Sequence, residues 1–247
     1  MSFELIFNLK LVAIGQENMD GLVRAIQLSF VVIGFVALAI VLPAVVFGVV
    51  HHWQVKFLML SYLVFYVATI WRVAKYGQLR KPSEDEQFKR NYGIWILAGM
   101  FLGILAVHWL AVYDFARFQQ SANAEVNLAV TNLGIGLIIS AIAIAQVAIL
   151  TLRKLFNRIA IEPDHKLITT GIYGIIRHPI YLSYVLLFAG FCMLLHSNLI
   201  TFVILGSICT IWLGHRIAIE EEMLLAKFGE EYKAYQRKTK KLFPFIY

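Results

Sequence analysis

Six apolar stretches, at about 25–50, 57–74, 93–113, 127–152, 180–196 and 199–215, take up most of this 247-residue chain. Each comes close to the ~20 residues that a helix needs to cross ~30 Å of hydrocarbon, where a backbone must satisfy its own polar groups. The chain therefore reads as an all-α integral membrane protein with about six transmembrane helices. Its 60% hydrophobic and only 15% charged residues argue against a water-soluble domain.

Local signals refine that layout. Pro43 lies inside the first and longest stretch, which predicts a kink or a break in regular hydrogen bonding there. Only His196, Ser197 and Asn198 separate the fifth and sixth stretches, which predicts a tight antiparallel hairpin. The run from Lys81 to Arg90, K-P-S-E-D-E-Q-F-K-R, reads as a solvated loop. Past the sixth stretch, Leu224, Leu225, Phe228, Tyr232 and Tyr235 recur at helical spacing between Lys and Glu. They predict a C-terminal amphipathic helix at the membrane surface, interrupted or capped near Gly229, with Phe243, Pro244, Phe245 and Tyr247 as an apolar tail. Residues 1–126 then hold the first three helices and a loop. Residues 127–247 hold the last three helices and the amphipathic segment.

The net charge of +7 has a topological reading. All of the 22 Lys and Arg except Lys56 and Arg117 fall in the two terminal segments and in the connections at 72–90 and 153–179. By the positive-inside rule, both termini and both long connections are expected on the cytoplasmic side. Orientation and anionic lipid account for the basic charge, so no nucleic-acid partner is expected. Cys192 and Cys209 lie inside apolar runs without C-x-x-C spacing and read as packing residues, not as a disulfide or metal site. With Glu4, Glu17 and Asp20 flanking a short apolar run, no cleavable leader is expected. His51, His52, His108 and His196 read as structural. No H-E-x-x-H, G-x-S-x-G, P-loop or dinucleotide glycine fingerprint occurs, which leaves hydrolase, ATPase and Rossmann readings unsupported.

Chemistry concentrates between His165 and Tyr181, H-K-L-I-T-T-G-I-Y-G-I-I-R-H-P-I-Y. Gly171 permits an unusual turn and Pro179 suits the start of a helix, while two His, an Arg and two Tyr crowd into the same short reach. The hairpin that follows brings Arg216, Glu220 and Glu221 back to the level of Arg177, His178 and Tyr181. Arg216 and Glu220, four apart, share one helix face. Taken alone, such a triplet also suits a snorkelling Arg with a local ion pair.

The order H-x-L-I-x-x-G-x-Y-x-x-x-R-H-P-x-Y, a hairpin containing Asn198, then R-x-x-x-E-E-x-x-L-x-x-x-F-G-x-x-Y-x-x-Y resembles the isoprenylcysteine carboxyl methyltransferase family. It is also similar to the wider group of membrane phospholipid methyltransferases. The resemblance covers about residues 127–247.

It implies S-adenosylmethionine as methyl donor, with S-adenosylhomocysteine as product, bound at a cytoplasmic cofactor-binding loop. His165, Lys166, Leu167, Ile168, Tyr173, His178, Pro179, Ile180, Tyr181 and Glu220 would hold the donor, and Arg216 would hold the acceptor's carboxylate. From the residues themselves, the backbone around Gly171, the Arg177 side chain and Glu221 join the candidate cofactor contacts. Arg216 and Glu220 are the candidate catalytic residues. Three positions depart from the family's pattern: Arg158 stands where a polar uncharged contact is usual, Ser183 where Gly is usual, and T-K-K-L-F-P-F replaces a Val-Pro tail.

The leading expectation is a membrane methyltransferase acting on a lipid-phase small molecule or lipidated peptide, with a prenylcysteine-type carboxylate as acceptor. Membrane lipids are the expected surroundings, and no metal is expected. A phospholipid amine or a small thiol are alternative acceptors, each needing a base to remove a proton. An NADPH-dependent sterol or enone reductase is the alternative from another class, and paired carboxylates at Glu220 and Glu221 disfavour its 2′-phosphate.

Overall fold

The computed structural model describes residues 21–76, 82–121, 127–152 and 167–243, with side chains from residue 98 onward in the helix that begins at Pro82. The described elements are helical: α1 (Gly21–Val46), α2 (Trp53–Phe65), α3 (Val67–Tyr76), α4 (Pro82–Gln120), α5 (Leu128–Leu152), α6 (Pro179–Leu194) and α7 (Leu199–Lys238). Five segments are long and apolar enough to cross a membrane: α1, α2 with α3 as Trp53–Tyr76, Ala98–Gln120 of α4, α5, and α7. Large apolar side chains face outward on several helices, among them Phe30 (71% exposed) and Leu199 (78%). In water this would be a liability; it is the surface a multi-pass membrane protein turns to lipid.

Three local devices shape the bundle. Before Pro43, which has no N–H to donate, α1 widens into a π-helical turn over Ala37–Val41, closed by Leu42 N–H on the Ala37 carbonyl. Between α2 and α3 the ladder breaks at Tyr66, and Gln146 of α5 repairs it. Its Nε2 donates to the Val64 (2.9 Å) and Phe65 (3.1 Å) carbonyls, and its Oε1 accepts from Ala68 N (3.0 Å). Freed backbone groups in an apolar interior need such a partner. Third, α5 and α6 pack backbone to backbone at Gly134 and Gly190. A Cβ at Gly134 would stand 2.8 Å from Leu194 N, and one at Gly190 would stand 2.8 Å from the Gly134 carbonyl.

The hairpin forms as the spacing predicts. His196 turns at φ 51°, and Asn198 caps α7 by accepting from Thr201 N. Asp114 of α4 holds the turn, accepting from Asn198 N (3.0 Å), Asn198 Nδ2 (2.8 Å) and Thr201 Oγ1 (2.6 Å). His196 bonds Thr131 and stacks on Phe118. His108 is buried against Tyr62 and bonded to it at 2.8 Å, another structural histidine.

Two expectations need adjustment. The fifth stretch forms only a 16-residue helix, about 24 Å at 1.5 Å per residue, because α6 starts at Pro179 and ends at the His196 turn. The interruption near Gly229 occurs as expected: the segment runs on from the sixth span within α7, and at Gly229, with a left-handed φ of 50°, a kink divides α7 into two helical parts. Residues 82–90 are helical, not a loop, since Pro82 suits a first turn and the Glu84, Asp85 and Glu86 behind it favour a helix N-terminus.

Candidate active site

The site is assembled where the chain entering α6 meets the end of α7. Gly171, at φ 60°, opens a 3-10 turn, Gly171–Gly174, that leaves Tyr173 buried. The Tyr173 carbonyl accepts from the Tyr235 hydroxyl at 2.7 Å, which ties the turn to α7. Residues 175–178 then run beside 239–241 in a short parallel pairing: Lys240 N donates to the Ile175 carbonyl, Arg177 N to Lys240, and His178 N to Lys241.

Side chains reinforce that seam. Arg177 donates Nε to Glu221 Oε1 at 2.8 Å and Nη1 to the Thr239 (2.6 Å) and Gln236 (3.2 Å) carbonyls. Glu221 also pairs with His178 Nε2 at 3.2 Å and with Lys241 Nζ at 3.6 Å. Across the ring, His178 Nδ1 lies 3.6 Å from Glu220 Oε2, and Tyr181 stacks against the same imidazole. Burial works against the His178 imidazolium, but the Glu220 and Glu221 carboxylates beside it outweigh that and hold the group above its ordinary range. Arg216 and Glu220 both bear on the Tyr181 hydroxyl.

Tyr173, Arg177, His178, Tyr181, Arg216 and Glu220 form the polar end of one cavity of about 630 Å³. Leu167, Ile168, Tyr173, Arg177, His178, Pro179, Ile180, Tyr181, Arg216 and Glu220, all named from sequence, line it. Gly171 and Glu221 do not. Gly171 shapes the turn from outside the wall, and Glu221 is engaged with Arg177, His178 and Lys241. His165 and Lys166 lie outside the described residues, as does Arg158. The Arg177 side chain lines the cavity, yet its guanidinium is committed to Glu221 and two carbonyls.

The other end of the cavity was missed from sequence. Phe35 of α1, Phe65 of α2, Thr69 of α3, Phe101 and Ile104 of α4 and Trp212 of α7 give it apolar walls. No motif marks the α1–α4 positions; only their helical faces and the breaks at Pro43 and Tyr66 bear on them. At the charged end the buried Tyr232 hydroxyl has no hydrogen-bond partner, and Glu220 Oε2 has none closer than its 3.6 Å pairing with His178 Nδ1.

Fold and site together define a multi-pass, all-helical membrane protein in which a charged pocket at a helix seam opens into an apolar chamber. The profile of the isoprenylcysteine carboxyl methyltransferase family matches residues 134–226. A protein-S-isoprenylcysteine O-methyltransferase of Saccharomyces cerevisiae is 30% identical over 188 residues, covering 74% of this chain and 76% of that protein. The chain belongs to the isoprenylcysteine carboxyl methyltransferase family. Protein-S-isoprenylcysteine O-methyltransferase B of Arabidopsis thaliana is 30% identical over 120 residues, 47% of this chain and 60% of that one. The chain thus spans about three fifths of the length of the plant relatives it matches. A solved structure of the eukaryotic intramembrane Ras methyltransferase ICMT shares the fold, with a TM-score of 0.54 at 20% identity over 98% of this chain and 87% of that one.

Proposed function

We propose that the chain transfers a methyl group from S-adenosylmethionine to a lipophilic acceptor in the membrane, a carboxylate of the prenylcysteine type, with the charged pocket facing the cytoplasm. The observation that carries this reading is the continuity of the cavity, which joins Arg216, Glu220 and His178 to the apolar walls of α1–α4. A soluble, charged donor and a lipid-phase acceptor need such a two-ended space.

The residues at the polar end fit the donor. It carries an ammonium, a carboxylate, a ribose and an adenine, and the pocket offers the Glu220 carboxylate and the unpartnered Tyr232 hydroxyl together with the rings of Tyr173 and Tyr181. Leu167, Ile168, Tyr173, His178 to Tyr181 and Glu220 would hold it, with His165 and Lys166 next to them in sequence. When bound, the donor supplies an electrophilic methyl group on a sulfonium.

The chain's own residues supply position and exclusion of water. A carboxylate acceptor is already ionised near pH 7, so no general base is required. Arg216 offers it a planar, permanently charged fork, and the apolar walls strip its hydration while they seat the lipid tail. Residues 127–247 thus carry the donor site, and the helices of 1–126 complete the acceptor's chamber. Cytoplasmic sidedness rests on the distribution of Lys and Arg.

Membranes containing the protein, incubated with methyl-labelled donor and analysed by mass spectrometry, should yield an acyl methyl ester. A methylated amine or thioether would replace the carboxylate reading. Tight NADPH binding without affinity for S-adenosylhomocysteine would end the methyltransferase reading.

A further inference from the structure

Two tyrosines one turn apart on the last part of α7 have opposite fates. Tyr235 is buried, and its hydroxyl is used up by the Tyr173 carbonyl at 2.7 Å. Tyr232 is fully buried, lines the cavity, and has no partner for its hydroxyl. A buried hydroxyl left unsatisfied destabilises the fold that contains it, and a structural tyrosine would be served as well by phenylalanine. Gly229 bends the helix just before this turn, and the same stretch carries the Gln236 and Thr239 carbonyls that grip Arg177. Tyr232 is thus fixed at the charged end of the cavity, which Glu220 also lines.

We propose that Tyr232 is a ligand-binding residue whose phenol donates a hydrogen bond to the carboxylate of the methyl donor's amino-acid end. The two groups are matched to a zwitterion: Glu220 Oε2, which pairs with His178 Nδ1 at 3.6 Å, is an acceptor suited to an ammonium, and the unpartnered Tyr232 hydroxyl is a donor suited to a carboxylate. The Arg177 guanidinium of the seam is engaged by Glu221 and two carbonyls, which leaves the Tyr232 hydroxyl as the unpartnered donor at this end. The inference rests on the methyl-donor reading above.

The test compares full-length wild type with Y232F and Y235F, using two probes in equilibrium binding. S-Adenosylhomocysteine has the amino-acid end, and 5′-methylthioadenosine lacks it. Y232F should bind S-adenosylhomocysteine about tenfold more weakly, as loss of a hydrogen bond to a charged group implies, and 5′-methylthioadenosine as tightly as wild type does. Ligand-free Y232F should melt no lower than wild type, whereas ligand-free Y235F should melt lower. Unchanged affinity for both probes, equal weakening of both, or a Y232F protein that melts lower or fails to fold would each overturn the assignment. If wild type binds neither probe, the methyl-donor reading itself falls, a result separable from failure of Y232F alone.

Discussion

Arg177 Nε and Glu221 Oε1 lie 2.8 Å apart across a seam between the chain entering α6 and the end of α7, two segments 44 residues apart in sequence. Both side chains are largely buried, at 9% and 13% exposure, and the same guanidinium holds the Thr239 and Gln236 carbonyls. This contact sets the relative position of His178 and Glu220, on which the polar end of the cavity depends. Breaking a buried, hydrogen-bonded pair by removing one partner costs several kcal/mol, because the other charge is stranded. Arg177→Ala should therefore lose about 3 kcal/mol of stability, and Arg177→Lys should recover only part of it, because an ammonium cannot reproduce the fork. Thermal unfolding in detergent, read for both variants, checks the order.

His178 gives the seam a pH dependence. Its folded pKa is raised above the unfolded value, so the pairing with Glu220 and Glu221 stabilises fully below about pH 6.5. That contribution is lost as the pH rises through the folded value. As the pH rises above about 6.5, the melting temperature of wild type should fall more steeply than that of His178→Gln. Parallel curves for the two proteins would remove His178 from the linkage.

Backbone contact between α5 and α6 makes a local prediction. Gly134→Ala forces a Cβ to 2.8 Å from Leu194 N and should cost about 2 kcal/mol, while Gly136→Ala, with nothing within 4 Å, should be neutral or slightly stabilising. Melting temperatures of the two variants provide the comparison.

Gln146 carries a similar burden in the second span. Gln146→Leu would leave the Ala68 N–H and the Val64 and Phe65 carbonyls without their side-chain partner, at about 1–3 kcal/mol. Phe65 and Thr69 line the apolar chamber, so affinity for a lipophilic acceptor should fall along with stability. Equilibrium binding of a farnesylcysteine-type ligand, alongside a melting curve, reads both effects.

The apolar runs were legible because membrane spanning is a local demand of length and composition, and so were the break around Pro43, the hairpin and the Gly229 bend. The polar end of the cavity was legible because Tyr173, His178, Tyr181, Arg216 and Glu220 stand out against apolar neighbours. Partner choice among charged groups was not: Glu221 reads like a ligand contact in sequence, but it faces Arg177, His178 and Lys241. The chamber walls were hidden for the opposite reason. Phe35, Phe101 and Ile104 are ordinary apolar residues of spanning helices, and only tertiary packing decides which of them face the cavity and which face lipid. The direct approach of Gly134 to Gly190 and the repair of the Tyr66 break by Gln146 are likewise long-range facts.

On the proposed reading, an acceptor's carboxylate, seated by the apolar chamber, meets the methyl donor through Arg216. Initial rates of labelled methyl-ester formation on a farnesylcysteine-type substrate, measured with wild type and Arg216→Ala alongside S-adenosylhomocysteine affinity, test it most directly. Wild type should form the ester, and Arg216→Ala should lose it by about 100-fold while its S-adenosylhomocysteine affinity stays within about threefold. Ester formation that survives Arg216→Ala unchanged, or no methyl ester from wild type, would contradict that reading.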